Sequence, residues 1–214
     1  MHPGGMSASV ADSWARITTW LRAHAPSTFD SLAPPADERD LAALASDVPT
    51  PLPDDLSTWW RLCDGSGLPD GRTELLPPYF EPCSTKHALE KRRYLVGPAP
   101  ARTADPVDEA GTRSGAFLET FVPIAALGNG DHLFVDLRPG RWHGCVHHWS
   151  RDDGSQVTPY WDNVTDMLTD IANALHTGSP ALRSYVERAR PYGIRTPSYV
   201  PAVQDGCLVW RRSN

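Results

Sequence analysis

The chain has 214 residues, 40% of them hydrophobic and 21% charged, with a formal net charge of −6. That balance is globular rather than disordered, and a chain of this size buries about 70% of its unfolded surface, so its stability needs no disulfide or metal. A mildly acidic chain without a basic tract speaks against a nucleic-acid binder.

Taken in order, residues 1–12 hold Gly4-Gly5 and small polar residues and read as a frayed tail. No basic start followed by an apolar run opens the chain, and no stretch approaches the ~18 apolar residues of a membrane span. The expectation is a cytoplasmic protein with reduced thiols. Cys63, Cys83, Cys145 and Cys207 lie far apart, without Cys-x-x-Cys spacing. Ser13 is the expected N-cap of a first helix with Trp14, Ile17, Leu21 and His24 on one face, ended by Pro26. A second helix is expected near Asp37 to Ser46, with Leu41 and Leu44 inward. Leu52-Pro53-Asp54-Asp55 opens a third, with acids suited to its positive end. Its apolar face takes in Leu56, Trp59, Trp60 and Cys63, and Asp64-Gly65 stops it. Adjacent tryptophans on a helix point about 100° apart. One of the two, Trp59, is therefore expected at the edge of the core or on the surface, where it could anchor a partner.

Leu75-Leu76-Pro77-Pro78 reads as a short edge strand, because proline cannot serve a central ladder. Ser84 caps a helix through Tyr94 whose Lys91-Arg92-Arg93 suits the negative end. Residues 97–116 read as a long mobile loop. An extended pattern resumes from Phe117 to Ile124, and Gly128-Asn129-Gly130 turns the chain. After Pro159, Val164, Met167, Leu168, Ile171 and Leu175 stripe a helix from Asp162 to His176, ended by Gly178. A short helix over Leu182 to Ala189 and a last strand at Cys207 to Trp210 complete the chain. The domain reading is a tail over 1–12, a core over 13–176 and a C-terminal extension over 177–214 packed on the same domain.

The centre of the chain runs from Asp131 to Trp149. Leu133, Val135 and Leu137 alternate with Phe134 and Asp136, a period of two. Pro139-Gly140 signals a tight turn. If Arg138 and Arg141 close it, Leu137 faces Trp142, Val135 faces Gly144 and Leu133 faces Val146 on an apolar face. The other face then pairs Asp136 with His143, Phe134 with Cys145 and His132 with His147. A slip of one residue would exchange the faces.

No Gly-x-Ser-x-Gly, phosphate-cradling glycine loop or His-Glu-x-x-His occurs. The polar hairpin face is the candidate site. Opposed strand residues have Cβ atoms roughly 5 Å apart, so His132 and His147 could share a zinc ion with Cys145 or Asp136 nearby. That would make a zinc-dependent enzyme of His132, His143 and His147. The competing reading gives these histidines an ordinary place on a covered strand face, and no cofactor is expected.

The ordered set Trp14 and Leu21, Leu52-Pro53, Trp60-x-x-x-Asp64-Gly65, Leu75-Leu76-Pro77, Phe121-Val122-Pro123-Ile124, Gly130-Asp131, Asp136-Leu137, Pro139-Gly140 and Gly144-x-Val146 through Trp149 resembles the SUKH superfamily, in particular its SMI/KNR-type cell-wall-assembly regulator family. The resemblance covers Ser13 to His176. It departs from the family at Phe121, where tryptophan is commoner, and at Asp64, where asparagine is. It implies an α+β fold, an antiparallel sheet with helices packed mainly on one face. It also implies a non-enzymatic protein-binding module with no transferable catalytic residues. Bacterial relatives are immunity proteins that neutralise toxins, and fungal relatives are regulatory modules of cell-wall synthesis. The expected partner is a protein, such as a toxin domain, rather than nucleic acid or membrane. The expected contact residues are Trp59, His132, Asp136, His143, His147 and Trp149. A scaffold module without a toxin partner is the alternative, and the sequence leaves the oligomeric state open.

Overall fold

A computed structural model of the chain describes residues 8–67, 74–97 and 109–213. The chain opens with helices α1 (Val10–His24), α2 (Pro26–Asp30), α3 (Glu38–Asp47) and α4 (Asp54–Trp60). Strand β1 (Glu81–Pro82), helix α5 (Thr85–Val96) and strands β2 (Phe121–Ala126), β3 (His132–Asp136), β4 (Cys145–Ser150) and β5 (Gly154–Ser155) follow. The chain ends with α6 (Val164–Thr177), α7 (Arg183–Ala189), β6 (Ser198–Gln204) and β7 (Cys207–Ser213). The fold is α+β. Strands β1 to β5 form one antiparallel sheet in sequence order, and β6 and β7 pair separately. Among the described residues, no helix is long and apolar enough to cross a membrane, and all four cysteines are free.

Helix α1 starts earlier than Ser13. Ser9 accepts a hydrogen bond from Asp12 N at 3.1 Å, and the Asp12 carboxylate accepts one from Ser9 N at 3.3 Å. This reciprocal box satisfies two of the helix's free N–H groups. Residues 10–12, expected in the tail, are its first turn, and residues 1–7 lie outside the described set. Ser13 is buried instead, its hydroxyl 3.1 Å from that of Thr169 on α6. Ser9→Ala should cost about 1 kcal/mol, readable as a lower urea midpoint at unchanged slope. His24 sits on the exposed side of α1, stacked near Trp20, rather than on the buried face. Pro26 ends α1 and also begins α2, the first-turn position where its missing N–H costs nothing.

Helices α3, α4, α5 and α6 lie where the periodicity puts them. Asn163 caps α6 by accepting from Asp166 N at 2.7 Å, and Gly178 ends it in the left-handed conformation at φ 67°. Tertiary partners decide the basic run of α5. Arg92 is buried, bonded to Asp47 of α3 and to the Glu119 carbonyl, and Arg93 reaches Asp47 at 2.9 Å.

The edge strand lies at Glu81–Pro82 rather than at Leu75–Leu76, where Leu76 instead bridges Phe80 across a tight turn. Pro82 holds an edge position, and Pro123 sits beside a register irregularity in β2, the two settings in which a strand tolerates proline. The β3–β4 register is two residues away from the expected one. His132 opposes Trp149, Phe134 opposes His147, Val135 opposes Val146 and Asp136 opposes Cys145. The cause is a longer connection. Instead of a tight turn closed by Arg138 and Arg141, the chain loops from 137 to 144, and Gly144 N donates to Asp136 O at 2.8 Å. A shift of two is a whole side-chain period, so the faces survive. Leu133, Val135, Leu137 and Val146 join the main core under α1, α4 and α6.

The second sheet face is buried too. Phe121, Phe134 and Trp149 pack there with Phe117 and Leu118, flanked by Leu95 and Val96 of α5. Over this face the long loop behaves otherwise than expected. Residues 98–108 lie outside the described set, whereas residues 109–116 are held down on the sheet. Ala110 N donates to Pro139 O at 2.9 Å, and Ser155 N to Ser114 O at 2.7 Å.

The final strand has a partner that periodicity did not single out. Asp205 and Gly206, at φ 51° and 75°, form the two-residue turn between β6 and β7, as the primed hairpin turns require. Tyr199, Leu208 and Trp210 pack into the main core, Leu208 N donates to Thr28 Oγ1 at 2.8 Å, and Ala181 N donates to Tyr199 O at 2.8 Å.

Candidate interaction surface

Five of the six expected contact residues are buried. Trp59 is 2% exposed, His132 4%, Asp136 and His147 0% and Trp149 8%. His143 alone is exposed. Trp59 does not sit at the core edge as expected. The Trp14 ring lies edge-on against it at 6.3 Å, so α1 covers the side of α4 that helical geometry alone leaves open. Trp60 is buried on the neighbouring side, its indole N–H donating to Cys83 O at 3.2 Å.

Asp136 and Arg138 form a buried ion pair. Arg138 Nη2 lies 2.7 Å and Nε 3.1 Å from the Asp136 carboxylate, which also accepts from Gly111 N at 2.9 Å and Arg138 N at 3.0 Å. Arg138 Nη2 donates as well to Thr112 O at 2.8 Å, and the guanidinium lies 5.1 Å from the Phe121 ring centre. Every element of this network faces another protein group, so its role is to hold residues 109–112 on the sheet.

The histidines do not converge. His147 Nδ1 donates to the His148 carbonyl at 3.2 Å, and its ring stacks on Phe134 at 5.4 Å. His143 Nδ1 lies 3.0 Å from Arg138 O, and His132 packs beside Trp149 at 6.3 Å. Among the described residues no three His, Cys, Asp or Glu side chains are grouped to hold a metal ion. The register explains why, since aromatic rings oppose His132 and His147 where the expected pairing put the two face to face. Burial pushes the Cys63 and Cys83 thiols up to about 12 and raises Cys145 further. These three are therefore protonated at neutral pH and poor nucleophiles.

Exposed chemistry gathers where the β3–β4 loop meets α6 and α7. A depression of about 350 Å³ is lined by Asp162, Asp166, Thr169, Asp170, Asn173 and Arg188. Asp166 and Asp170 lie one turn apart on one face of α6, and Asp162, just before the Asn163 cap, lines the same depression. Burial, and then the nearby Asp162, Asp55 and Asp170 charges, raise the Asp166 carboxyl above its ordinary value. Burial raises Asp170 too, against hydrogen bonds from Leu182 N and Trp161 Nε1 at 2.9 Å each. Arg188 pairs with Asp162 at 3.0 Å and lies 5.4 Å from the ring of Trp142, next to exposed Arg141 and His143. The result is an open acidic hollow beside a half-buried aromatic. Its carboxylates suit a cationic group. The Asp-x-x-x-Asp-x-x-x-Asp spacing was visible in the sequence. The neighbouring Trp142 and Arg188 depend on tertiary packing.

No curated protein matches the chain. A model of the SMI1 / KNR4 family (SUKH-1) matches residues 35–170, from just before α3 through half of α6, and by that match the chain belongs to this family.

Proposed function

We propose that this chain is a protein-binding module that neutralises a toxin, and that it meets a basic partner surface through the hollow at α6. Membership of the SMI1 / KNR4 family supports a protein-interaction role. The observation that carries the site is the row Asp162, Asp166 and Asp170 in an open depression, with Trp142 and exposed His143 on the adjacent loop. Acidic groups of this kind speed encounter with a basic partner, and an aromatic at the rim supplies contact area. In this reading His143 touches the partner, whereas Trp59 belongs to the main core and His132, Asp136, His147 and Trp149 to the sheet face turned away from α6.

The test is co-expression with toxin domains encoded beside this chain, scored by growth rescue and by co-purification. Asp166→Asn relieves a crowded carboxylate, so folding stability should hold within about 0.5 kcal/mol. Association with the toxin should slow by about tenfold at low salt. Failure of every neighbouring toxin domain to bind would remove the toxin-neutralising reading. Binding that Asp166→Asn leaves untouched would move the interface elsewhere.

A further inference from the structure

The second sheet face holds polar groups that its cover does not satisfy. Neither ring nitrogen of His132, nor His147 Nε2, nor Trp149 Nε1 has a hydrogen-bond partner among the described residues. These three side chains are at least nine-tenths buried and share one face of β3 and β4. Residues 109–118 run over His147 and Trp149, with the Gly111 backbone at the His147 ring and the Phe117 ring 5.6 Å from that of Trp149, while α5 faces His132. A short set of polar bonds also attaches the segment. Gly111 N donates to Asp136 at 2.9 Å, Arg138 to Thr112 O at 2.8 Å, and Ser114 N to Ser155 Oγ at 2.6 Å. The main core lies on the opposite face of the same sheet and shares none of these side chains.

We propose that residues 109–118 are a proton-operated strap, in which charging His147 frees the segment from the sheet while the opposite face stays packed. A proton on His147 Nε2 creates a buried donor with no acceptor in hydrogen-bond geometry. Of the groups facing that ring, Asp136 and the backbone at His148 and Gly111 favour the charge and Arg138 opposes it. Asp136 is already engaged by Arg138, so burial prevails. His132 faces cationic Lys91 and the His87 ring from α5, with Asp131 and the Gly130 backbone on its own side. Burial is the leading cause for both rings, and it holds each down at about 4.

The sign follows from linkage. A histidine freed by opening returns to about 6.5, so the open form binds more protons between roughly pH 6.5 and 4 and gains on the closed form as pH falls through that window. At pH 5 the gain is about 30-fold for release of His147. Opening stays local because it uncovers only the smaller cluster, as expected of a segment that can unfold separately from the rest.

Hydrogen exchange of the full chain at pH 7.5 and pH 5.0, corrected for intrinsic rates, tests this. The amides of Gly111, Ser114 and Ser155 should lose protection by about 30-fold or more at pH 5, while that of Ile171 in α6 changes by less than about threefold. Replacement His147→Leu, or His147→Phe, should abolish the loss at the strap. Retained strap protection in the native chain at pH 5 would overturn the proposal. So would loss at the strap and at Ile171 in step, or an undiminished pH effect in a folded variant. If neither variant folds, the native profile still separates local from concerted opening.

Discussion

Asp136→Asn should be among the most damaging single changes in the chain, lowering folding stability by about 3–5 kcal/mol. Both Asp136 and Arg138 have fully buried side chains. The amide keeps the shape of the carboxylate but removes the charge, which leaves a guanidinium in the interior against Phe121 and the Thr112 carbonyl. An uncompensated buried charge costs more than the pair contributes when intact. Arg138→Met should also destabilise, by a smaller amount, because the carboxylate keeps the Gly111 and Arg138 backbone N–H groups. The double variant Asp136→Asn with Arg138→Met removes both charges, so it should recover part of the loss. Urea unfolding of the four proteins, followed by tryptophan fluorescence, closes this cycle. Additive losses would show that the two side chains do not act as a pair. A loss below about 1 kcal/mol for Asp136→Asn would place the guanidinium in contact with water.

The pair also shows why part of the fold could be read from sequence and part could not. Alternation in Leu133, Val135 and Leu137 fixed which face of the hairpin enters the main core, and a two-residue error in register leaves that assignment intact. Helical periodicity placed α6, because Val164 to Leu175 form an apolar stripe bounded by a capping asparagine and a left-handed glycine. The expected polar face failed for a nonlocal reason. Its cover comes from residues 109–118 and from α5, far away in the chain, and no local pattern announces that a turn arginine will fold inward onto an aspartate two residues before it. Ser13 misled similarly. Serine reads as a cap wherever a helix is expected, and only the Ser9–Asp12 box one turn earlier reveals the true start. Of the candidate contact surface, the spacing of Asp162, Asp166 and Asp170 was legible, whereas its meeting with Trp142 depends on how α7 and the β3–β4 loop pack.

Trp59 separates a core role from an anchoring role most directly. Trp59→Ala should destabilise the chain by about 3–5 kcal/mol, the usual cost of removing a buried aromatic. Its ring is enclosed between α4 and the Trp14 ring. Trp59→Phe should cost much less, since the indole N–H has no hydrogen-bond partner among the described residues to lose. Trp60→Phe should exceed it by about 1 kcal/mol, because the Trp60 indole N–H serves the buried Cys83 carbonyl. The comparison also bears on function. A surface anchor replaced by alanine weakens partner binding at constant stability, while a core tryptophan lowers the unfolding midpoint and affects binding only through the folded fraction. Thermal or urea melts of Trp59→Ala, beside partner binding measured well below its melting temperature, distinguish the two. An unchanged midpoint with lost binding would return Trp59 to the interface and require α1 to move away from α4 when the partner docks.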